Sequence, residues 1–215
     1  MIEIRNISKS YTINATTNYV LHNISFRFPD HENIGILGLN GAGKSTLLRI
    51  IGQIESPDAG EVRHYGRVSW PIGFRGGFAG SLTAEENCRF VARIYNEDID
   101  RVIDFTRDFA ELGRHFFLPV GTYSSGMKAR LAFGLSMAIN FNVYLIDEVT
   151  EVGDNVFKRK SRKVFEERSS RSSLIMVSHN MKTIRTYCSR CAILTKGSLQ
   201  LFDSVDEAER IYKAL

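Results

Sequence analysis

Hydrophobic residues alternate with polar ones over the first 30 residues of the chain. Such alternation is typical of β-strands with one buried face, so we expect strands on either side of a turn-rich segment. The apolar positions before that segment are Ile2, Ile4 and Ile7, and those after it are Leu21, Ile24, Phe26 and Phe28.

Beyond residue 30, uninterrupted apolar runs take the place of the alternating pattern, and each run is followed by a helical pattern. Runs of this length predict strands that are buried on both faces. Strands that alternate with helices predict a largely parallel sheet flanked by helices. The strand runs are NIGILGL (33–39), VYLID (143–147) and LIMVS (174–178), and the helices follow as KSTLLRII (44–51), residues 155–169 and MKTIRTYC (181–188).

The middle of the chain predicts mainly helices. Thr83 and Glu86 form a capping-box pattern that opens a helix running through Tyr95. Further helices are predicted over about residues 99–112 and from the YSSG segment (123–126) to about residue 138. Before them, Pro57, Asp58 and Gly60 indicate a turn, followed by a strand at GRVSW (66–70). The end of the chain predicts a hairpin that turns at Lys196, Gly197 and Ser198, followed by a last helix.

A length of 215 residues suits one α/β domain with a full core. The apolar and charged fractions, 43% and 24%, are ordinary for a globular protein. No apolar stretch approaches the ~20 residues of a membrane helix, and the start, MIEIRNISKSY, has no apolar signal region. We therefore expect the protein to serve a membrane, if it does so, from the cytoplasmic side through another chain.

Cysteine and charge add little chemistry. The three cysteines form an odd set, and the CSRC pair, Cys188 and Cys191, has metal-ligand spacing but no second pair and no nearby histidine. We interpret them as ordinary thiols.

Much of the net charge of +4 lies in KRKSRK (158–163), within a helical pattern. This run could face the phosphates of nucleic acid or lipid, but we interpret it as a solvated helix face.

A glycine-rich loop between a buried strand and a helix matches the pattern G-x-x-x-x-G-K-[ST]. Its glycines let several backbone N–H groups point at one phosphate, at a helix N-terminus that favours anions. Lys44 would contact the β- and γ-phosphates, and Ser45 would offer a hydroxyl to Mg²⁺. The sequence therefore predicts a nucleotide site formed by Gly38, Leu39, Asn40, Gly41, Ala42, Gly43, Lys44, Ser45 and Thr46.

Two carboxylates and a histidine follow strands of the same predicted sheet. Asp147 and Glu148 end the VYLIDE run, and His179 follows LIMVS. Ligands of α/β sheets lie beyond the carboxyl ends of the strands. We expect Asp147 to hold Mg²⁺ and Glu148 to orient and deprotonate the attacking water.

With these residues in place, the chain resembles the ATP-binding subunits of ABC transporters over essentially its full length. YSSGM (123–127) is similar to the LSGGQ signature, so Ser124, Ser125 and Gly126 are implied to contact the γ-phosphate of a second subunit's ATP. The resemblance also implies that Tyr11 stacks on adenine, Asp154 is the D-loop aspartate and His179 is the switch histidine near the γ-phosphate.

The resemblance implies an α/β P-loop NTPase fold of the ABC type. Its parts are a RecA-like core sheet, an N-terminal antiparallel β subdomain and a helical subdomain at about 83–139, all within a single domain of residues 1–215. It further implies a homodimer that sandwiches two MgATP molecules, each between the phosphate loop of one chain and the signature of the other.

More narrowly, the chain resembles the capsular polysaccharide exporter ATPases of Gram-negative bacteria, in VSWPIGFRGGF (68–78), TYSSGMKARLAFGLSMA (122–138) and LIDEVTEVGD (145–154). This resemblance implies a peripheral protein on the cytoplasmic face of the inner membrane, two copies of a six-helix permease, indirect periplasmic and outer-membrane partners, and no nucleic acid. The carbohydrate-binding C-terminal domain of some O-antigen exporters has no counterpart here, and teichoic-acid exporters tend to be longer.

Two features depart from the family pattern. The Q-loop glutamine expected near Gly73 is absent, and the signature has Ser125 and Met127 where glycine and glutamine are usual. We hypothesise that the loop's Phe74 and Phe78 receive a helix of the membrane subunit, with local core packing as the alternative. Three other functions stay open, namely the ATPase of a related O-antigen or teichoic-acid exporter, a soluble ABC ATPase acting on nucleic acid, and a nucleotide sensor without turnover.

Overall fold

A computed structural model describes residues 1–72, 77–147, 155–195 and 198–215. These residues form two compact units. The first contains residues 1–71, 141–147, 172–195 and 198–215, and the second contains residues 72, 77–140 and 155–171. A single functional domain with a helical subdomain at about 83–139 remains a prediction.

The strands of the described residues form two sheets. One has three strands in the order β2-β1-β4, and the other has six in the order β5-β6-β7-β3-β8-β9. The strands are β1 (Ile2–Ile13), β2 (Thr16–Phe28), β3 (Asn33–Leu37), β4 (Ala59–His64), β5 (Val68–Ile72), β6 (Val143–Asp147), β7 (Ser173–Val177), β8 (Arg190–Thr195) and β9 (Ser198–Phe202).

The three-stranded sheet is antiparallel and buries one face. Its buried residues follow the alternation seen in the sequence, with Ile2, Ile4 and Ile7 all at most 1% exposed. The predicted turn-rich segment is wrong, because β1 and β2 continue through these polar residues and turn only at Asn14 and Ala15, which have positive φ angles. The polar side chains there are mostly exposed or half-buried, so no apolar pattern marks the strands.

Strand β4 was not predicted, since the sequence there indicated only a turn. Its residues Ala59, Gly60 and Glu61 are exposed, and Val62 is half-buried, so the segment lacks the alternation that identifies a strand. Backbone pairing with β1 defines it instead, for example Ile4 beside Val62.

The six-stranded sheet confirms the predicted α/β core. Strands β6, β7, β3 and β8 run parallel, and β9 pairs antiparallel with β8 as the predicted hairpin requires. Every residue of β7 is buried, as is every residue of β3 after the first. The predicted turn residues Lys196 and Gly197 lie outside the described residues.

The helices divide between the two units. The first unit contains α1 (Lys44–Ile51), α6 (Met181–Tyr187) and α7 (Val205–Tyr212), and the second contains α2 (Ala84–Ile94), α3 (Ile99–Ala110), α4 (Ser125–Ala138) and α5 (Asn155–Ser169). Two short 3₁₀ segments, Gly113–Phe117 and Val120–Thr122, lie between α3 and α4. Within the described part of the chain, no helix combines the length and apolar character needed to cross a membrane.

Aromatic packing holds the second unit together. Phe109 of α3 stacks on Phe133 of α4 at 5.7 Å between ring centroids and meets Phe157 of α5 edge-on at 5.3 Å. Lys160 of α5 also donates to the last backbone oxygens of α3, at 3.1 Å from both Asp108 O and Phe109 O. One residue of the basic run therefore closes a helix end, while Arg159, Arg162 and Lys163 are exposed as a solvated face requires.

Candidate functional site

The phosphate loop joins β3 to α1 in the conformation that its glycines permit. Gly41 and Gly43 have φ angles of 80° and 97°, which side chains rarely adopt. A Cβ atom on Gly43 would lie 2.7 Å from Val20 Cγ1, and one on Gly38 would lie 2.6 Å from the Leu194 carbonyl oxygen. A Cβ on Gly41 would meet no atom within 4 Å. Other residues therefore pack against the loop at Gly38 and Gly43 but not at Gly41. This open side has the shape to hold a phosphate.

Lys44, the first residue of α1, lies beneath this loop and is 8% exposed. Its Nζ donates to Gly38 O at 2.7 Å and to Leu39 O at 3.0 Å. A buried ammonium held by carbonyl oxygens brings a full positive charge to a helix N-terminus that already favours anions. The loop has the charge and the shape to bind a polyphosphate.

The hydroxyl of Ser45 and the carboxylate of Asp147 meet beside the loop. Ser45 Oγ donates to Asp147 Oδ1 at 3.1 Å, although 102 residues separate the two in sequence. In the described residues no group of three His, Cys, Asp or Glu side chains is arranged to hold a metal ion. One hydroxyl and one carboxylate are nevertheless a fitting donor set for Mg²⁺, which takes few protein ligands and completes its shell with phosphate oxygens and water.

Sheet register brings the region of His179 to the same edge. Val177, the last residue of β7, pairs with Asp147 of β6 on one side, and its neighbour on the other side is Ile36 of β3. His179 follows two residues later and is exposed. Asn180 then caps α6 by accepting from Lys182 N at 2.9 Å, so the chain turns away directly after the histidine. The strand ends therefore place His179 at the edge that holds the phosphate loop and Asp147.

Tyr11 lies on β1 with its hydroxyl near the end of the phosphate loop. The hydroxyl donates to Glu55 Oε1 at 2.6 Å and lies 3.5 Å from Thr46 Oγ1. Its ring is half-buried, and Lys9 Nζ lies 5.7 Å from the ring centroid. The structure thus brings the predicted base-contacting residue and the phosphate loop together within one unit.

Two residues beside Tyr11 were missed by the sequence analysis. Arg49 Nε donates to Glu55 Oε2 at 3.0 Å, and Arg49 Nη2 donates to Thr46 Oγ1 at 3.1 Å. Burial would raise the pKa of the Glu55 carboxyl, but hydrogen bonds from Tyr11 and Arg49 outweigh that effect and hold it below its ordinary value. No motif marks these residues, because the contacts arise only when β1 lies beside α1.

The signature residues occupy the start of α4 in the second unit. Ser124 caps this helix, accepting from Met127 N at 3.3 Å, and Ser124, Ser125 and Gly126 are all exposed. Behind them the helix is anchored, because every residue from Leu131 to Ala138 is buried. This exposed helix N-terminus is suited to an anion, as the signature prediction requires.

Several predicted residues cannot be placed. Glu148, Asp154, Phe74 and the position of the missing glutamine near Gly73 lie outside the described residues. Phe78 is described and is half-buried. The roles assigned to these residues stay predictions.

The three cysteines are buried and free of disulfides. Burial raises the pKa of Cys88 and Cys188 to about 12 and that of Cys191 to about 11. Such thiols are not ionised at neutral pH, so they are poor nucleophiles, as expected for structural cysteines.

Comparison with known proteins gives consistent results. Residues 21–151, more than half of the chain, match the family model described as ABC transporter. The chain is 48% identical to the polysialic acid transport ATP-binding protein KpsT of Escherichia coli, over 99% of both chains. It is 49% identical to the capsule polysaccharide export ATP-binding protein CtrD of Neisseria meningitidis serogroup B, over 100% of both.

The fold also matches solved structures. One is the ATP-binding cassette MJ0796 bound to ADP and Pi, with a TM-score of 0.75 and 22% identity over 94% of this chain and 98% of that one. The predicted fold class is confirmed by this likeness and by the two sheets described above.

Proposed function

This chain belongs to the ABC transporter family, and we propose that it is the ATP-hydrolysing subunit of an exporter that moves capsular polysaccharide across the bacterial inner membrane. The observation that supports the activity is that one edge of the sheet holds both the buried Lys44 ammonium and the 3.1 Å contact between Ser45 and Asp147. The full-length similarity to KpsT and CtrD supports the substrate.

Each residue has a defined task in this proposal. The loop N–H groups and Lys44 bind the β- and γ-phosphates, and Ser45 and Asp147 hold Mg²⁺, directly or through its water. Mg²⁺ supplies charge neutralisation of the phosphate oxygens. Glu148 accepts a proton from the water that attacks the γ-phosphorus, as the bond to the ADP oxygen breaks. His179 contacts the transferred phosphoryl group, and Tyr11 stacks on adenine.

Two copies of the chain complete the site. The exposed tip of α4 offers Ser124, Ser125 and Gly126 to the γ-phosphate bound by the other copy, and Asp154 is assigned a role in the same contact. Because the γ-phosphate then joins both copies, binding of ATP closes the pair and hydrolysis reopens it. That movement is passed to the membrane subunits.

The proposed location is the cytoplasmic face of the inner membrane, held there by two copies of a six-helix permease. The loop that contains Phe74 and Phe78 is the proposed docking site for the permease, and periplasmic and outer-membrane components act further along the route. Replacing Phe74 and Phe78 by Ala is expected to weaken permease binding. Unchanged copurification with the permease would contradict this docking role.

The activity is tested by measuring phosphate release from ATP by the purified chain, with Mg²⁺ and with EDTA. Glu148→Gln is expected to keep ATP binding and to lose about 10²-fold or more in rate, as for the loss of a general base. Unchanged hydrolysis by this variant would contradict the role of Glu148. A wild-type chain that binds ATP without turnover would instead favour the sensor function.

The substrate is tested in a capsulated Gram-negative strain that lacks its own exporter ATPase. We expect the wild-type gene, but not the Glu148→Gln gene, to restore surface capsule. Capsule that stays inside the cell despite an active ATPase would contradict the export function. Tight binding of nucleic acid at physiological salt would then favour the soluble ATPase class.

A further inference from the structure

We propose that Arg49 and Glu55 are positioning residues that hold the ring of Tyr11 at the base subsite and tie it to Thr46 at the end of the phosphate loop. The inference rests on the proposed function, because it takes ATP as the ligand and Tyr11 as the residue that stacks on adenine. It adds a means by which the base subsite and the phosphate subsite are fixed relative to each other before the nucleotide arrives.

The contacts form a closed ring of hydrogen bonds. The two oxygens of Glu55 are used separately, with Oε1 accepting from Tyr11 Oη at 2.6 Å and Oε2 accepting from Arg49 Nε at 3.0 Å. Arg49 Nη2 reaches back to Thr46 Oγ1 at 3.1 Å and to Tyr11 Oη at 3.4 Å. Because the bonds to Tyr11 all meet at its Oη, they fix the position of the hydroxyl and so the direction in which the side chain points.

Electric charge holds the ring of contacts together. Glu55 lies between two cations, since Lys9 Nζ is 3.4 Å from Oε1 and Arg49 contacts Oε2. The side chains of Arg49 and Glu55 are only 32% and 21% exposed, so water screens this pair less than it does a surface pair. Lys9 is held in turn by Asp58 at 3.2 Å.

The protein gains affinity from such an arrangement through preorganisation. A tyrosine ring that is already oriented loses little rotamer freedom when a base stacks on it, whereas a free ring would lose about 0.5–1.5 kcal/mol, or roughly 2- to 12-fold in affinity. Thr46 ends the phosphate loop and is 7% exposed. The same contacts therefore set the distance between the Tyr11 side chain and the phosphate loop. A ligand with both a base and a triphosphate benefits, and a triphosphate alone does not.

The experiment compares two ligands, ATP and inorganic tripolyphosphate, both with Mg²⁺ and the full chain, by calorimetry. Tyr11→Phe, which keeps the ring and removes the hydroxyl, and Glu55→Ala are each expected to weaken ATP binding about 3- to 10-fold and to leave tripolyphosphate binding unchanged. The double variant is expected to bind ATP no more weakly than the weaker of the two single variants, because both changes break the same contact. Glu55→Gln keeps an oxygen that can accept from Tyr11, so it is expected to recover part of the loss.

Glu61→Ala serves as the matched control, since Glu61 lies on the same sheet, is exposed and pairs with Arg63 away from the ring of contacts. Equal weakening of ATP and tripolyphosphate binding by Glu55→Ala and Glu55→Gln would show a general structural role and overturn the inference. So would ATP affinities that match the wild type in all variants. A wild-type chain that binds tripolyphosphate but not ATP would overturn the proposed function itself.

Discussion

Lys44 shows how much a single buried charge contributes to the proposed site. It is held by two loop carbonyls, and it brings a full positive charge to the place where phosphate oxygens would lie. Lys44→Ala is expected to reduce ATP affinity and hydrolysis together, by about 10²-fold or more, because the charge acts on both the bound substrate and the transition state. Titration with a fluorescent ATP analogue and phosphate release measure the two effects.

Lys182→Ala is the control for this change, since Lys182 is an exposed lysine in the same unit. Its ATP affinity should equal that of the wild type. Retention of tight ATP binding by Lys44→Ala would contradict the assignment of Lys44 to the phosphates.

His64 predicts a pH dependence of stability. Burial lowers the pKa of His64 below its ordinary value of 6.5, and the charge of the Met1 amino group lowers it further, against a hydrogen bond to Ile51 O at 2.7 Å. The unfolded chain therefore binds a proton more readily than the folded chain. The stability that this group contributes is fully present above pH 6.5 and is lost as the pH falls through the folded-state pKa.

Urea unfolding at a series of pH values between 7.5 and about 5 measures this effect. His64→Gln should flatten the part of the profile below pH 6.5 that is due to His64. A wild-type free energy of unfolding that rises as the pH falls through this range would contradict the prediction. So would a His64→Gln variant with the same pH profile as the wild type.

At the level of residues, the sequence predicts the side chains that carry the chemistry better than it predicts the residues that surround them. The motifs around Lys44, Ser45 and Asp147 gave the residue types that the structure brings to one edge of the sheet. Arg49 and Glu55 carry no motif, because their role depends on contacts with Tyr11 of strand β1 that spacing along the chain does not reveal.

Helix α2 shows the value of a local capping rule. The capping box predicted from Thr83 and Glu86 is present in both directions, with Thr83 N donating to Glu86 Oε2 at 2.8 Å and Glu86 N donating to Thr83 Oγ1 at 3.1 Å. Thr83→Ala is expected to lower the free energy of unfolding by about 1 kcal/mol. Chemical denaturation measures this, with the exposed Ser81→Ala as a control that should change little.

The turn from β3 into α1 makes a sharper test of backbone geometry. Gly43→Ala would place a methyl group at a φ of 97° and 2.7 Å from Val20 Cγ1, whereas Gly41→Ala would add one at a φ of 80° in open space. Both changes strain the backbone by roughly 1–3 kcal/mol. The loss of stability should be larger for Gly43→Ala because of the added contact, and thermal unfolding of both variants checks the order.

At the level of elements, predictability followed the strength of the apolar pattern. Helix α5 and strand β6 have the bounds predicted for them, since long helical periodicity and continuous apolar strands are strong signals. Strand β4 and the 3₁₀ segments were missed, because exposed edge strands and single turns have no comparable pattern.

For the whole molecule, the proposed pairing of two copies predicts a specific crosslink. Chains with Gly41→Cys and Ser124→Cys are expected to form disulfide-linked dimers with MgATP in a Glu148→Gln background, and not with ADP. The three native thiols are buried, so they should give little background. Nonreducing gels measure the product, and each single cysteine variant is a control. Absence of the linked dimer with MgATP, in a double cysteine variant that still binds ATP, would contradict the sandwich.

The arrangement of the whole molecule is the part that the sequence predicts least well. The alternation of strands and helices predicted the parallel sheet, and the structure confirms it. The neighbours of β3 within that sheet were not predicted, because β7 and β8 lie far along the chain from it. Such pairing is set by packing of the complete chain and not by any local pattern.

That strand order has a consequence for how the protein is made. β3, which supports the phosphate loop, lies between two strands that begin at residues 173 and 190, and the Leu194 carbonyl packs against Gly38. A growing chain leaves the ribosome from its N-terminus, at about 5–20 residues per second. The loop thus emerges early but gains its support only after β8, residues 190–195, has been synthesised. Nascent chains that end before β8 should therefore be unable to trap cellular ATP.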